Sequence, residues 1–183
     1  MDLQGYGQLL LSGLWVTIQL ALASVFFGLI IGLCGATARL SSSPVARAIA
    51  TTYTTVVRGI PELLLVLTLY FGGSQLLMWI ASLFGYDEYI DVGQFAAAVA
   101  ALAIAFGAYS TEVFRMAMMD LPKGQWESAQ AMGMTPLKTF VRIIMPQVWR
   151  LAIPGLGNLF QVLLKDTALV SVVGLNELMR QAS

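Results

Sequence analysis

The chain has no histidine and a single cysteine among its 183 residues. The first absence removes the commonest metal ligand and general base. The second excludes an internal disulfide and a cysteine metal cluster. Cys34 sits in an apolar run beside Gly32 and Gly35, where it reads as a small packing residue. Charge is scarce as well: 11% of residues are Asp, Glu, Lys or Arg, against about 25% in a soluble domain. With 58% apolar residues, that deficit points to a membrane protein. The formal net charge is zero, so nothing suggests a nucleic-acid partner. The phosphate-loop pattern G-x-x-x-x-G-K-[ST] is missing, so any nucleotide chemistry must come from a partner. An enzyme active site within this chain is not expected. The N-terminus does not read as a signal peptide: Asp2 is the only early charge, and the apolar run exceeds the h-region length of about 7–15 residues.

What is present is a set of long apolar runs. A bilayer core needs about 20 apolar residues per helix, and four stretches qualify by length, at about 14–38, 63–86, 92–118 and 151–176. The fold class is therefore an all-α membrane protein. Gly28 and Gly32 stand four apart in the first run with Gly35 close by, a spacing that lets a second helix approach. The break from Arg39 to Arg58 carries three arginines and no acid, whereas Asp87, Glu88 and Asp91 follow the second run without a base. The loop from Lys123 to Arg150 is basic again, with Glu127 its only acid. Basic loops stay cytoplasmic, which places the N-terminus outside and the third connection inside. Trp15, Trp79, Tyr86 and Tyr89 lie near run ends, where aromatic belts form. The fourth run is interrupted by Lys165 and Asp166, and Pro154, Gly155, Gly157 and Asn158 weaken its start.

Within the loop at 122–147, Trp126 to Pro146 is the longest stretch that reads as both water-facing and helical. It divides into two short helices. Gly133 is able to take the left-handed conformation that ends the first. Thr135 followed by Pro136 reads as an N-cap with proline at the first helical position, and Pro146 blocks a simple continuation. Small and methionine side chains around Trp126 suit docking into a groove on another protein. An amphipathic helix lying on the bilayer fits the same residues, and the physics leaves both open.

Glu127-Ser128-Ala129, three residues, Gly133, nine residues, then Ile143-Ile144-Met145-Pro146 resembles the E-A-A-x3-G-x9-I-x-L-P signature of ABC-importer permeases, with Ser128 and Met145 as mild departures. The stretches at 58–72, 108–115, 121–134 and 154–175 are similar to the polar amino-acid branch, and within it to the histidine, lysine, arginine and ornithine permeases. The resemblance implies a type I importer permease fold, with four of the usual five core helices present and the C-terminal span missing. It implies a bacterial inner-membrane, multi-pass protein with a cytoplasmic coupling helix in the cleft of an ATPase subunit. Glu127, Ser128, Ala129, Gly133, Ile143 and Pro146 would then form the ATPase-coupling site. Glu127 would pair with a base on the ATPase, Gly133 would permit the sharp turn, and Ile143 and Pro146 would anchor the second short helix. The implied partners are an ABC ATPase dimer holding ATP–Mg, a second permease subunit, a periplasmic or surface amino-acid-binding protein, and the amino acid itself. No cofactor is implied for this chain.

Charges within apolar runs are costly, about 2.5–3.5 kcal/mol each at the centre on insertion scales, and mark functional candidates. They are Glu112, Arg115, Lys165 and Asp166, with Arg58 and Glu62 at a run edge. Glu112 and Arg115, three apart, are placed to pair with each other, as are Arg58 and Glu62, four apart. Lys165 and Asp166 point about 100° apart on a helix, so they cannot share a face. Asp166, with Glu112, is the candidate for a cationic side chain of a basic amino acid or arginine-derived opine, and Arg115 for its α-carboxylate. Some members of the resembling family hold substrate at mid-membrane. An ion-coupled secondary transporter using Glu112, Lys165 and Asp166 is the alternative from another class, and a non-transporting membrane anchor is a third.

Overall fold

The computed structural model describes residues 6–83 and 93–173, and the regular elements among them are all helical. The first helix, α1, runs over Tyr6–Leu40 without a charge until Arg39 in its last turn. Its 35 residues span about 50 Å at 1.5 Å per residue, more than a hydrocarbon core of about 30 Å.

The arginine-rich stretch after it is not a loop, which corrects the sequence reading. Ser43 accepts a hydrogen bond from the Ala46 N–H at 3.4 Å, and Pro44 occupies the first turn. These start signals launch α2, Pro44–Gly59. It is amphipathic, burying Ala50 and Thr54 and exposing Val45, Ile49 and Val56. A charge marks a face of an amphipathic helix as readily as an end: Arg47 lies on the exposed side of α2, and Arg58 in its last turn. Ile60 is then extended (φ −100°, ψ 130°), as a residue preceding proline prefers. Helix α3, Glu62–Ser82, leaves at 106° to α2. The tail of the expected second run, the acidic connection Asp87, Glu88 and Asp91, and the belt residues Tyr86 and Tyr89 fall outside the described residues, as does everything from 174 onward.

Helix α4, Gln94–Met119, is the centre of the bundle, with 72% of its most apolar window buried. Its alanine-rich face lies against α1, and the glycines of α1 set how close the two come. A Cβ built on Gly28 would stand 2.7 Å from Phe106 Cδ1, and one on Gly32 would stand 2.9 Å from Ser110 Cβ. Gly35 faces Thr111 in the same way. The Ser110 hydroxyl donates across this contact to the Gly28 carbonyl at 3.2 Å. Close approach through small residues, expected from the spacing, is thus the main helix–helix contact. Around α4 the core divides into a cluster built on Leu20, Val66, Leu102, Phe106 and Leu163, and a second built on Phe114, Ile144, Val148 and Leu156.

The fourth long helix also starts earlier than expected. After two short helices, α5 at Gly124–Ala131 and α6 at Pro136–Thr139, a π-helical turn at Phe140–Ile144 feeds directly into α7, Met145–Asp166. Pro146 does not stop the chain. A proline lacks its N–H and collides with the carbonyl four residues back. The wider turn before it, in which the Met145 N–H donates to the Phe140 carbonyl, absorbs that break. The helix runs on through Pro154, Gly155 and Gly157. Gly155 is needed for packing, since a Cβ there would stand 2.9 Å from Val113. At Thr167 the chain tightens into a 3₁₀ helix, Thr167–Val173. By length and composition, α1 and α4 are long and apolar enough to cross a membrane, and the bent pair α2–α3 makes a third if it is one span.

Candidate functional site

Three features share the polar side chains of the bundle. The first is the loop. Helix α5 ends in a double-hydrogen-bonded turn: the Gly133 N–H donates to the Gln130 carbonyl at 2.9 Å and the Met134 N–H to the Ala129 carbonyl at 3.0 Å. Gly133 sits at φ +75°, in the left-handed region this closure needs. Thr135 then caps α6, accepting from the Lys138 N–H at 3.4 Å. Trp126 stacks on Phe140 with centroids 6.4 Å apart, which holds α5 against the π turn. Ala129 is buried in that joint, while Glu127 and Ser128 are exposed beside it. Met132 is 82% and Leu137 73% exposed, so the loop presents large apolar side chains as well as Glu127. Ile143 is half-buried against the second core cluster, but Pro146 is exposed, and the fully buried residue at this joint is Ile144. The sequence signature leaves the Ile144 position free; only packing marks it.

The second feature is an ion cluster. The Glu112 carboxylate of α4 meets the Arg39 guanidinium of α1, and its other oxygen accepts from Arg115 Nε at 2.8 Å. Arg58 of α2 approaches the first oxygen at 3.8 Å. The Glu112–Arg115 pair is as expected. The Arg58–Glu62 pair is not: the Pro61 bend turns Arg58 toward Glu112, with its Cζ 5.3 Å from the Tyr109 ring centroid, and leaves Glu62 to accept from the Tyr109 hydroxyl at 3.3 Å. Arg39 was missed because its partner lies 73 positions away. It also donates to Thr54 at 3.3 Å. Arg115 is further engaged by Met119, its Nη1 lying 3.0 Å from the sulfur.

The third feature joins α3, α4 and α7. Glu62, Tyr109 and Asp166 line one cleft, closed on its apolar side by Leu102, Phe106 and Leu163. Its cavity is about 20 Å³, room for a single water. Lys165, the neighbour of Asp166, is exposed, and the two do diverge as the helical angle requires. Lys165 ends a stripe of exposed polar positions, Arg150, Asn158, Gln161 and Lys165, at helical spacing along α7. Glu62 was assigned to pairing with Arg58; the fold makes it the second carboxylate of the Asp166 cleft. A carboxylate opening a helix directly after Arg-Gly-Ile-Pro was the available signal.

The pattern of binding-protein-dependent transport system inner membrane components matches residues 16–183. The nopaline transport system permease protein NocQ of Agrobacterium fabrum is 47% identical over 98% of this chain and 76% of its own length. The histidine/lysine/arginine/ornithine transport system permease protein HisQ of Salmonella typhimurium is 43% identical over 97% of this chain and 78% of its own. Among solved structures, an amino acid ABC transporter with histidines superposes with a TM-score of 0.77 at 36% identity, covering 97% of this chain and 77% of that one. The methionine transporter MetNI, inward facing, reaches 0.75 at 21% identity over 97% of this chain and 79% of its own, which speaks for the fold alone.

Proposed function

This chain belongs to the family of binding-protein-dependent transport system inner membrane components, and from that premise we propose that it passes basic amino acids or arginine-derived opines across a bacterial inner membrane. It is a transport component rather than an enzyme. The observation that carries the substrate reading is the cleft lined by Glu62, Tyr109 and Asp166 together. Two carboxylates against apolar walls are the arrangement a guanidinium or ammonium side chain would neutralise. The neutral amino acids offer no such charge. Names of the relatives point the same way, to nopaline and to histidine, lysine, arginine and ornithine.

The loop is the part on which a cytoplasmic ATPase docks, with ATP and Mg bound in that partner. Exposed Met132 and Leu137 in the same loop as Glu127 support docking over a bilayer-surface role, because α5 shows no strongly apolar face of its own. The polar stripe of α7 would be costly against lipid, which supports a second permease subunit, identical or homologous, and a wet path between them. The basic charge of the loop supports its cytoplasmic location and an outward N-terminus.

Two experiments test this in the full-length complex reconstituted with its binding protein. Asp166→Asn should lower arginine uptake about tenfold relative to an uncharged amino acid, the loss of one charge-assisted contact. An unchanged preference would leave selectivity with the binding protein alone. Glu127→Ala should reduce binding-protein-stimulated ATP hydrolysis while the complex keeps its thermal stability, since Glu127 is exposed. Wild-type stimulation and uptake would remove the loop from the coupling role.

A further inference from the structure

Glu112 is shared by three guanidinium groups, and the sharing is unequal. Arg39 and Arg115 make the close contacts, one to each carboxylate oxygen. Arg58 stands at 3.8 Å from an oxygen already held by Arg39, and 44% of its side chain is exposed. Three cations against one carboxylate leave an excess of positive charge, and the geometry puts that excess on Arg58. Among the described residues no other acid pairs with it. Its guanidinium is held over the Tyr109 ring, so it is oriented without its hydrogen-bonding valences being consumed. Tyr109 is also the residue whose hydroxyl reaches Glu62 on the wall of the acidic cleft. One aromatic ring therefore separates an uncommitted cation from a pair of carboxylates.

We propose that Arg58 receives the α-carboxylate of the transported amino acid, so that the site is dipolar, with Arg58 at one pole and Glu62 with Asp166 at the other. This rests on the reading that the acidic cleft takes the substrate's side-chain cation. A dibasic amino acid carries its two charged ends a side-chain length apart, and Tyr109 stands between the two poles here, its ring centroid 5.3 Å from Arg58 Cζ and its hydroxyl 3.3 Å from Glu62. Arg58 is a specificity residue here, distinguishing a basic amino acid from a plain diamine or guanidine. Arg115 is not that pole: its Nε is bound to Glu112 at 2.8 Å and its Nη1 lies against the Met119 sulfur, whereas Arg58 makes no contact to an acid closer than 3.8 Å.

The test is equilibrium binding of radiolabelled arginine to the purified permease–ATPase complex in detergent, without binding protein, competed by arginine and by agmatine, which lacks the carboxylate. In the wild type, arginine should compete about tenfold better than agmatine. Arg58→Gln should bring arginine down to the agmatine level and leave agmatine unchanged. Arg58→Lys, which keeps the charge and loses the planar fork, should fall between. Asp166→Asn should weaken both ligands together. Arg58→Gln with the wild-type ratio, beside an Asp166→Asn that weakens both ligands, would overturn the Arg58 assignment and spare the acidic cleft. Absence of saturable arginine binding in the wild type would overturn both. Should the glutamine variant fail to assemble, a wild-type ratio in Arg58→Lys is sufficient to refute the proposal.

Discussion

Replacing Glu112 by glutamine isolates the charge that ties α1, α2 and α4 together. Glutamine keeps the shape and one acceptor oxygen, so packing around the side chain is preserved. What is lost is the only negative charge that faces Arg39, Arg58 and Arg115 among the described residues. Exposed ion pairs contribute about 0–1 kcal/mol, and removing one partner of a buried pair costs about 3–5 kcal/mol. Glu112 is 16% exposed while Arg39 and Arg115 are 22% and 27% exposed, so the site lies between these limits. Water screens the guanidinium ends, which brings the expectation to about 1–3 kcal/mol. The three arginines then repel one another at the junction of the helices. Thermal unfolding of the purified complex, followed by tryptophan fluorescence, should show a midpoint several degrees lower for Glu112→Gln. Arg58→Gln should shift it far less, because Glu112 keeps both closer partners. Adding Arg39→Gln to Glu112→Gln should recover part of the loss, since one of the repelling charges is gone. A Glu112→Gln midpoint equal to the wild type would refute the reasoning, and so would an Arg58→Gln loss as large as that of Glu112→Gln.

Two glycines give further expectations. Gly32→Ala would drive a Cβ into the Ser110 hydroxyl and to 2.9 Å from Ser110 Cβ; the hydroxyl would have to give up its bond to the Gly28 carbonyl and α1 and α4 separate by about 1 Å to reach ordinary contact near 3.5–4.0 Å, at a cost of about 1–3 kcal/mol. Gly72→Ala, where nothing stands within 4 Å, should be neutral or mildly stabilising in the same unfolding assay. Gly133→Ala meets no neighbour within 4 Å either, but it forces an alanine to φ +75°, about 1–2 kcal/mol of local strain. Its effect should appear as reduced ATPase stimulation, with Gly133→Asn milder than Gly133→Ala.

Much of the loop was legible because its signals are local. A left-handed glycine, a threonine cap and a proline at the first helical position act within four or five residues, and the structure places Gly133, Thr135 and Pro136 in those roles. The glycine spacing of α1 was legible for a related reason: a missing side chain leaves room whatever helix arrives. The helical character of α2 was not, although Ser43 and Pro44 announce it, because the arginines were given the weight of boundaries. Pro146 was overestimated because a π turn is a property of the chain before it and has no residue code of its own.

The sequence by itself determined the helical membrane class, the wet loop and its turn chemistry, and the candidate charges, since apolar length, capping and charge scarcity are properties of contiguous residues. Tertiary structure alone decided how those charges are shared. Arg39 finds Glu112 across 73 positions, and Tyr109 finds Glu62 across 47. Those choices depend on the 106° bend at Pro61 and on how near the glycines let α1 lie to α4. Ion pairs form with whichever partner the backbone brings within reach, and spacing along one helix specifies only a candidate. That is why Glu62 lines the cleft with Asp166 while Arg58 lies against Tyr109 and Glu112.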